Sequence, residues 1–127
     1  MRSIALTVLL LAPSAIFAAT KPDPADFTVT MHVISSESTY VSCDVPVTYH
    51  QVLDAVVDGQ QLRMQSGTTL SYGVLALGDY KARKSPSVRS PKWATAADLF
   101  EAYDLLMPDG TARTYRVTRI GPVPTNP

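Results

Sequence analysis

Three side chains carry the chemistry of metal ligation or nucleophilic catalysis: Cys43, His32 and His50. A thiol becomes a nucleophile when a neighbouring base takes its proton, which makes His50 the natural partner of Cys43. The loop between them allows the two side chains to meet, although no family motif for a catalytic cysteine surrounds Cys43. A small secreted hydrolase or thiol enzyme that uses Cys43 and His50 is therefore the alternative function of this chain.

The histidines and the cysteine do not form a recognisable metal site. Ligands of such sites recur at short spacings, whereas His32, Cys43 and His50 are well separated. A single cysteine also excludes an internal disulfide and a four-cysteine zinc site. We expect no metal and no cofactor, with both histidines at the surface or on the rim of the fold.

The acidic and serine-containing segments complete no other catalytic motif. Asp58 and Asp109 fit predicted turns, and Asp54 faces an arginine across a predicted hairpin. Ser66-Gly67 and Ser71-Tyr72-Gly73 lack the G-x-S-x-G pattern of hydrolases. We assign no catalytic residue and favour a protein that is not an enzyme.

Charge is distributed in blocks, although 11 basic and 11 acidic side chains balance and give no general attraction to nucleic acid. Residues 22–62 hold six acids and no base, residues 81–92 five bases and no acid, and residues 98–109 four acids and no base. The candidate binding residues are this basic block and its aromatic neighbour: Lys81, Arg83, Lys84, Arg89, Lys92 and Trp93. Such a docking loop would take an anionic envelope polymer or an acidic protein surface. The alternative is a solvated loop attracted to the chain's own acidic strands.

The first 18 residues have the pattern of a secretory signal peptide. Arg2 supplies the positive start, an apolar core follows, and small residues at Ala18 and Ala19 offer the cleavage site. Pro13 ends the apolar run before the roughly 20 residues that a membrane span needs. We expect a secreted or periplasmic protein with no transmembrane segment after cleavage. The predicted organisation is a signal peptide at 1–18, a flexible leader at 19–26, a single β domain at 27–121 and a disordered tail at 122–127.

Alternating apolar and polar residues predict β-strands in the first half of the chain. Residues 27–33 alternate strictly, which places Phe27, Val29, Met31 and Val33 on one face of a strand. Residues 39–43 repeat the pattern briefly and are expected to form a separate strand. Residues 52–65 flank Asp58-Gly59, a dipeptide typical of two-residue hairpin turns. Counting outward from this turn, Asp54 faces Arg63 on the exposed face, and Leu53 faces Met64 on the inward face.

The second half of the chain continues the strand pattern after a polar interruption. Residues 80–83 form a predicted strand with Tyr80 and Ala82 facing inwards, and residues 85–92 are too polar and Pro-rich to build core. We expect a helical turn at 95–98, then a strand that ends at Met107. The residues Pro108-Asp109-Gly110 favour a three-residue hairpin loop with Met107 opposite Thr111 and Tyr103 opposite Tyr115.

These elements predict an all-β domain. The 127 residues, 46% of them hydrophobic, suffice for one such domain. Six or seven short strands with hairpin connections make a small antiparallel β-barrel or a sandwich, and periodicity does not distinguish the two.

The segments at 75–82, 103–111 and 115–117 are similar to a pattern in short exported bacterial β-domain proteins, a group with no assigned activity. This resemblance implies export and a compact β fold and transfers no functional residue. We expect a non-enzymatic exported binding or structural module of the bacterial cell envelope. A further possibility is a fragment that completes a larger secreted assembly through an exposed edge strand.

Overall fold

The structure is a computed structural model that describes residues 21–42, 45–86 and 88–122. The predicted signal peptide, Cys43 and the predicted tail beyond Pro122 lie outside the described residues. Within the described ranges, no helix has the length and the hydropathy that crossing a membrane requires.

Six antiparallel strands close into one barrel. They are β1 (Val29–Ser42), β2 (Thr48–Val57), β3 (Gln60–Ser66), β4 (Gly78–Lys84), β5 (Ala102–Leu106) and β6 (Ala112–Ile120). Around the barrel the order is β1-β2-β3-β6-β5-β4, and β4 pairs back with β1. The all-β prediction is confirmed, and the choice between barrel and sandwich is settled in favour of the barrel. One turn of 3-10 helix (Pro24–Asp26) lies in the predicted leader.

The core consists of alternate residues that point into the barrel. Met31 and Val33 from β1, Leu53 from β2, Met64 from β3 and Leu105 from β5 are all 0–1% exposed. Each fully buried side chain of this kind contributes about 1.5–3 kcal/mol through removal of apolar surface from water. The predicted inward faces are confirmed for Met31 and Val33, with Val29 packed against them, and for the 80–83 strand, since Ala82 is buried and Tyr80 packs against the core. The first strand begins at Val29 and not at Phe27, whose buried ring lies under the Arg83 guanidinium.

The β2–β3 hairpin has the predicted turn and register. Asp58 and Gly59 adopt φ angles of 49° and 77°, the left-handed conformations that a two-residue turn requires. Leu53 pairs with Met64, and Asp54 pairs with Arg63. Local turn chemistry thus fixes which side chains of both strands face the core.

The Asp54–Arg63 pair is more buried than the simple surface pair that we expected. The Asp54 carboxylate is 18% exposed and also lies 3.2 Å from the Arg119 guanidinium of β6. Its other oxygen accepts a hydrogen bond from Ser35 at 2.8 Å. The Arg63 Nε is 3.5 Å from Asp54, close enough for an ion pair, although the two atoms form no hydrogen bond. The pair is therefore one part of a network that joins β1, β2, β3 and β6.

The β5–β6 hairpin is also as predicted. The Met107 N–H donates to the Thr111 carbonyl at 2.8 Å, and Tyr103 pairs with Tyr115. Gly110 has a φ of 85°, which few other residues adopt. Hydrogen bonds from the Thr111 hydroxyl and N–H lower the pKa of Asp109, as expected for a carboxylate that stabilises a turn.

The predicted separate strand at 39–43 is wrong, because residues 39–42 continue β1. The register of β1 against β2 shifts between Val33 and Ser35, as in a β-bulge, so that Ser36 rather than Ser35 pairs with buried Leu53. The inward positions of β1 therefore change from odd to even numbers. One long strand with a bulge replaces the two short strands that alternation suggested.

The helical turn expected at 95–98 is a single hydrogen-bonded turn that does not extend into a helix. The Asp98 N–H donates to the Thr95 carbonyl at 3.1 Å, and the Asp98 carboxylate accepts from the Thr95 N–H and hydroxyl. These hydrogen bonds lower the pKa of Asp98. The capping residues are those we predicted, but the chain continues irregularly to β5.

The two ends of the barrel are built differently. At one end, which we call the mouth, β4 begins at Gly78 opposite Val33, so β1 beyond Val33 pairs with β2 alone among the described strands. The connection at 67–77 runs along this end and inserts Leu75 into the core. The opposite end carries the Asp58-Gly59 turn and the connection at 85–101, where three of the six predicted binding residues lie.

Candidate functional site at the mouth of the barrel

The inward-facing positions change from apolar to polar on four strands as they reach the mouth. Along β2, the inward residue next to buried Leu53 is Gln51, and along β3 the residue next to Met64 is Ser66. The polar residues that continue the inward faces at this end are Ser36 and Ser38 on β1, Gln51 on β2, Ser66 on β3 and Arg113 on β6. The mouth is thus a polar cap on an apolar core.

Gln51 stabilises the floor of the mouth through four hydrogen bonds, a set of contacts that we call the brace. Its Oε1 accepts from the Tyr115 hydroxyl at 2.6 Å and from the Arg113 Nη1 at 3.2 Å. Its Nε2 donates to the Gly73 carbonyl at 3.1 Å, and its backbone N–H donates to the Ser66 Oγ at 2.9 Å. These bonds tie β2 to β3, β6 and the 67–77 connection. Since both lone pairs of Oε1 are used, Gln51 positions its neighbours.

The two tyrosines below the brace remain protonated at neutral pH. Burial raises the pKa of Tyr115 above its ordinary value of 10.0, and hydrogen bonding to Arg113 opposes this only in part. Burial likewise raises the pKa of Tyr103, which pairs with Tyr115 from β5. The Tyr115 hydroxyl is therefore a neutral donor that holds Gln51 in place, and neither phenol is prepared to act as a base or a nucleophile.

A depression of about 340 Å³ lies beside this brace. Its lining includes Thr68, Thr69, Ser71, Tyr72, Arg113 and Thr114, and it contains no acidic residue. Within the described ranges, Arg113 has no carboxylate at ion-pair distance. An arginine has five N–H donors, and one of them is used here for Gln51. The depression therefore combines hydroxyl groups, an aromatic ring and an uncompensated cation.

Three tyrosines form the rim of the mouth and line a second depression of about 330 Å³, which shares Tyr72 with the first. The ring of Tyr49 lies 5.2 Å from that of Tyr40 and 6.0 Å from that of Tyr72. Tyr40 and Tyr72 are 71% and 78% exposed. The Ser38 Oγ in this depression is buried and has no hydrogen-bond partner among the described groups. Two largely exposed tyrosines and a serine with an unpaired hydroxyl thus line the same depression.

Apolar side chains are also exposed on the connection that borders the mouth. Of eleven large hydrophobic side chains that are exposed in the described part of the chain, Leu70, Tyr72, Val74 and Leu77 lie in this connection. Clustered exposed apolar residues with polar neighbours are typical of interaction sites, whereas isolated ones are ordinary.

In the predicted basic segment, Arg83 forms its contacts within the protein. Its Nε donates to the Asp104 carboxylate at 3.1 Å, and its guanidinium carbon lies 4.7 Å from the centroid of the Phe27 ring. Asp104 is buried, with 8% of its side chain exposed, and also accepts from the Thr114 hydroxyl at 2.6 Å. Arg83 thus compensates a buried carboxylate and packs on a buried ring.

The other members of the basic segment are spread along β4 and the connection that follows. Lys81 donates to the Thr30 hydroxyl at 3.2 Å, and Lys84 lies 3.6 Å from Glu101. Arg89 and Lys92 are exposed and form no ion pair within the described ranges. Trp93 is 71% exposed, with its ring 5.6 Å from that of Phe100. None of the six predicted residues lines either depression at the mouth.

The histidines lie outside the mouth. His32 is exposed, and its Nδ1 is 2.6 Å from the Asp79 carboxylate. His50 is opposite Thr39 on the outer face of β2, since it alternates with inward-facing Gln51. Cys43 lies outside the described residues, so the alternative that pairs it with His50 is not tested by the structure. The described ranges contain no group of three or more metal-binding side chains.

Sequence patterns did not indicate the mouth. Its central contacts join Gln51 to Arg113 and Tyr115, which are 62 and 64 residues away. In the sequence, Ser71-Tyr72-Gly73 lacks the G-x-S-x-G pattern and indicates no binding site. One available signal was the alternation of β2, which extends beyond Leu53 and places Gln51 and Tyr49 on the face of the core.

No protein-family model matches this sequence, and comparison with curated proteins and with solved structures finds no significant match.

Proposed function

We propose that this protein is an exported, non-enzymatic binding module of the bacterial cell envelope that holds a linear saccharide at the mouth of its barrel. The observation that carries the proposal is the change of the inward-facing positions, on four strands at the same end, from apolar to polar. Such convergence creates a concave site with a few fixed polar groups, which is the usual form of a small-ligand site at a barrel mouth.

The lining of the mouth favours a saccharide. A sugar ring presents an apolar face of C–H groups, which packs on the exposed rings of Tyr40 and Tyr72. Its hydroxyl groups both donate and accept hydrogen bonds, as do the hydroxyls of Ser38, Thr68 and Ser71 in the two depressions. The two depressions share Tyr72, which suits a ligand with several rings in a row.

The same geometry supports binding without catalysis. Hydrolysis of a glycosidic bond normally requires two carboxyl groups, one on each side of the bond. The lining of the two depressions contains no carboxyl group. The buried tyrosines keep their protons at neutral pH. Export is proposed from the signal-peptide pattern of residues 1–18.

Calorimetric titration of the purified protein with cello-hexaose, chito-hexaose and hexagalacturonate tests this function. We expect at least one hexamer to bind and to be recovered uncleaved. Loss of an aromatic contact at a binding site costs about 1–2 kcal/mol, so Tyr72→Ala should weaken that binding about tenfold. Trp93→Ala, which removes an equally exposed aromatic ring outside the mouth, is the matched control and should bind as the wild type does.

Two results would contradict the proposal. One is the absence of binding for all three hexamers. The other is a Tyr72→Ala variant that binds like the wild type while Trp93→Ala does not, which would move the site to the opposite end of the barrel.

A further inference from the structure

Arg113 is an arginine without an ion pair that also lines the mouth. Arg63 and Arg119 pair with Asp54, and Arg83 pairs with Asp104, so these cations are compensated within the protein. Among the described residues Arg89 and Arg116 also lack an ion pair, but neither lines a depression at the mouth, and the depression that Arg116 lines contains Glu101. Arg113 has no ion pair among the described residues and lines a depression without acidic residues. We propose that the saccharide is acidic and that Arg113 binds its carboxylate, an inference that rests on the proposed function.

The brace prepares Arg113 for this role. Gln51 accepts one hydrogen bond from the Arg113 Nη1, and Gln51 is itself fixed by Tyr115 and by the Gly73 carbonyl. Holding the guanidinium by one N–H reduces the conformational freedom that binding would otherwise remove, while the remaining donors stay available. The planar fork of those donors matches the two oxygens of a carboxylate.

The surrounding charges leave the cation uncompensated. The neighbouring residue Thr114 donates to Asp104, but that carboxylate is paired with Arg83, and it alternates with the inward-facing Tyr103 and Leu105, which places it on the outer face of β5. A carboxylate that enters the depression therefore meets one cation without an ion pair, and no acidic side chain lines the depression. The serine and threonine hydroxyls of the lining add neutral donors beside it.

The arrangement of the rim and Arg113 favours an acidic saccharide over an acidic peptide. A peptide strand would pair with the backbone edge of β1 beyond Val33, which pairs with β2 alone among the described strands, but Arg113 lies on β6, which does not adjoin β1. The rim itself offers the rings of Tyr40 and Tyr72 and isolated hydroxyls. Ring faces suit the C–H face of a sugar, and Arg113 lies in the depression that adjoins Tyr72. A uronic acid unit satisfies both features, since it carries a sugar ring and a carboxylate.

The experiment compares hexagalacturonate with its fully methyl-esterified form, which keeps the rings and removes the charges. A charge-assisted carboxylate contact contributes about 1.5–3 kcal/mol, so wild-type protein should bind the acid form at least about tenfold more tightly, and added salt should reduce this preference. Arg113→Gln should bind the two forms within about twofold of each other, and Arg113→Lys should fall between it and the wild type.

The matched control is Arg116→Gln, which removes the same charge from the same strand but on its other face, away from both depressions at the mouth. It should keep the wild-type preference. Thermal unfolding of each variant checks that the fold is intact.

Each of the following results would contradict a specific part of the proposal. Equal binding of acid and ester by the wild type would overturn the role of Arg113 and leave saccharide binding standing. Binding of neither form, nor of the neutral hexamers, would overturn the proposed function as well. A preference for acid that survives in Arg113→Gln would place the carboxylate elsewhere. If hexaglutamate bound as tightly as hexagalacturonate, the ligand would be an acidic peptide.

Discussion

The two ends of the barrel hold their cations in different ways. At the mouth, Arg113 is fixed by Gln51 and faces a depression with no acidic residue. Towards the other end, Arg83 and Lys84 are close to Asp104 and Glu101, while Arg89 and Lys92 are simply exposed. In the basic segment, residues close in sequence differ in whether they form ion pairs. At the mouth, residues distant in sequence come together. The proposed binding site therefore rests on convergence of residues in space and not on a local run of charge.

The apolar floor of the mouth should show the largest effect on stability. Leu53 is 0% exposed and is the last apolar inward residue of β2 before Gln51. Leu53→Ala should lower the free energy of unfolding by about 2–5 kcal/mol, because it leaves a cavity in the core. Urea denaturation provides the measurement, with Val52→Ala, the adjacent side chain on the outer face, as control. Equal losses from the two variants would mean that the faces of β2 are assigned incorrectly.

Arg83 should matter for stability more than any other cation of the basic segment. Arg83→Gln leaves the buried Asp104 carboxylate with Thr114 as its remaining side-chain partner, which should cost about 1.5–3 kcal/mol of unfolding free energy. Arg89→Gln is the control, and a change at such an exposed site is expected to stay within about 0.5 kcal/mol. Chemical denaturation of both variants measures the two changes in unfolding free energy. Similar values for the two variants would show that Arg83 is as dispensable as its exposed neighbour.

Removing the Tyr115 hydroxyl should have a smaller effect with a distinctive pH dependence. Tyr115→Phe removes the hydrogen bond to Gln51, at a cost of about 0.5–1.5 kcal/mol near neutral pH. Burial raises the pKa of Tyr115 in the folded state, so the unfolded chain loses its phenol proton first as the pH rises past 10.0. Wild-type stability therefore falls above that pH, and Tyr115→Phe should fall less steeply. Parallel stability curves for the two proteins would contradict this role of Tyr115.

The smallest effect should come from the exposed part of the basic segment. Replacing Lys84, Arg89 and Lys92 together by glutamine should change the affinity for hexagalacturonate by less than about twofold, since charges beyond a Debye length of about 8 Å are screened at physiological salt. Calorimetric titration at several salt concentrations is the measurement. A loss of affinity as large as the loss caused by Arg113→Gln would indicate that the basic segment is the binding site.

Local chemistry explains which parts of the fold were predictable. Asp58-Gly59 and Pro108-Asp109-Gly110 determine their hairpins within a few residues, and the predicted pairings of Asp54 and Tyr103 follow from them. The bulge after Val33 was not predictable in this way, because it depends on how β1 pairs with both β2 and β4 in the closed barrel. The contacts of Gln51 were equally inaccessible, since nothing within its own segment indicates which strands will surround it.

The central claim is that ligand binds at the mouth and not along the basic segment. Amide-resolved NMR titration of the protein with hexagalacturonate tests it most directly, because each shifted resonance reports its own position. The account predicts the largest shifts at Gln51, in residues 66–73 and at Arg113. Shifts confined to residues 84–93, or none at saturating ligand, would contradict it.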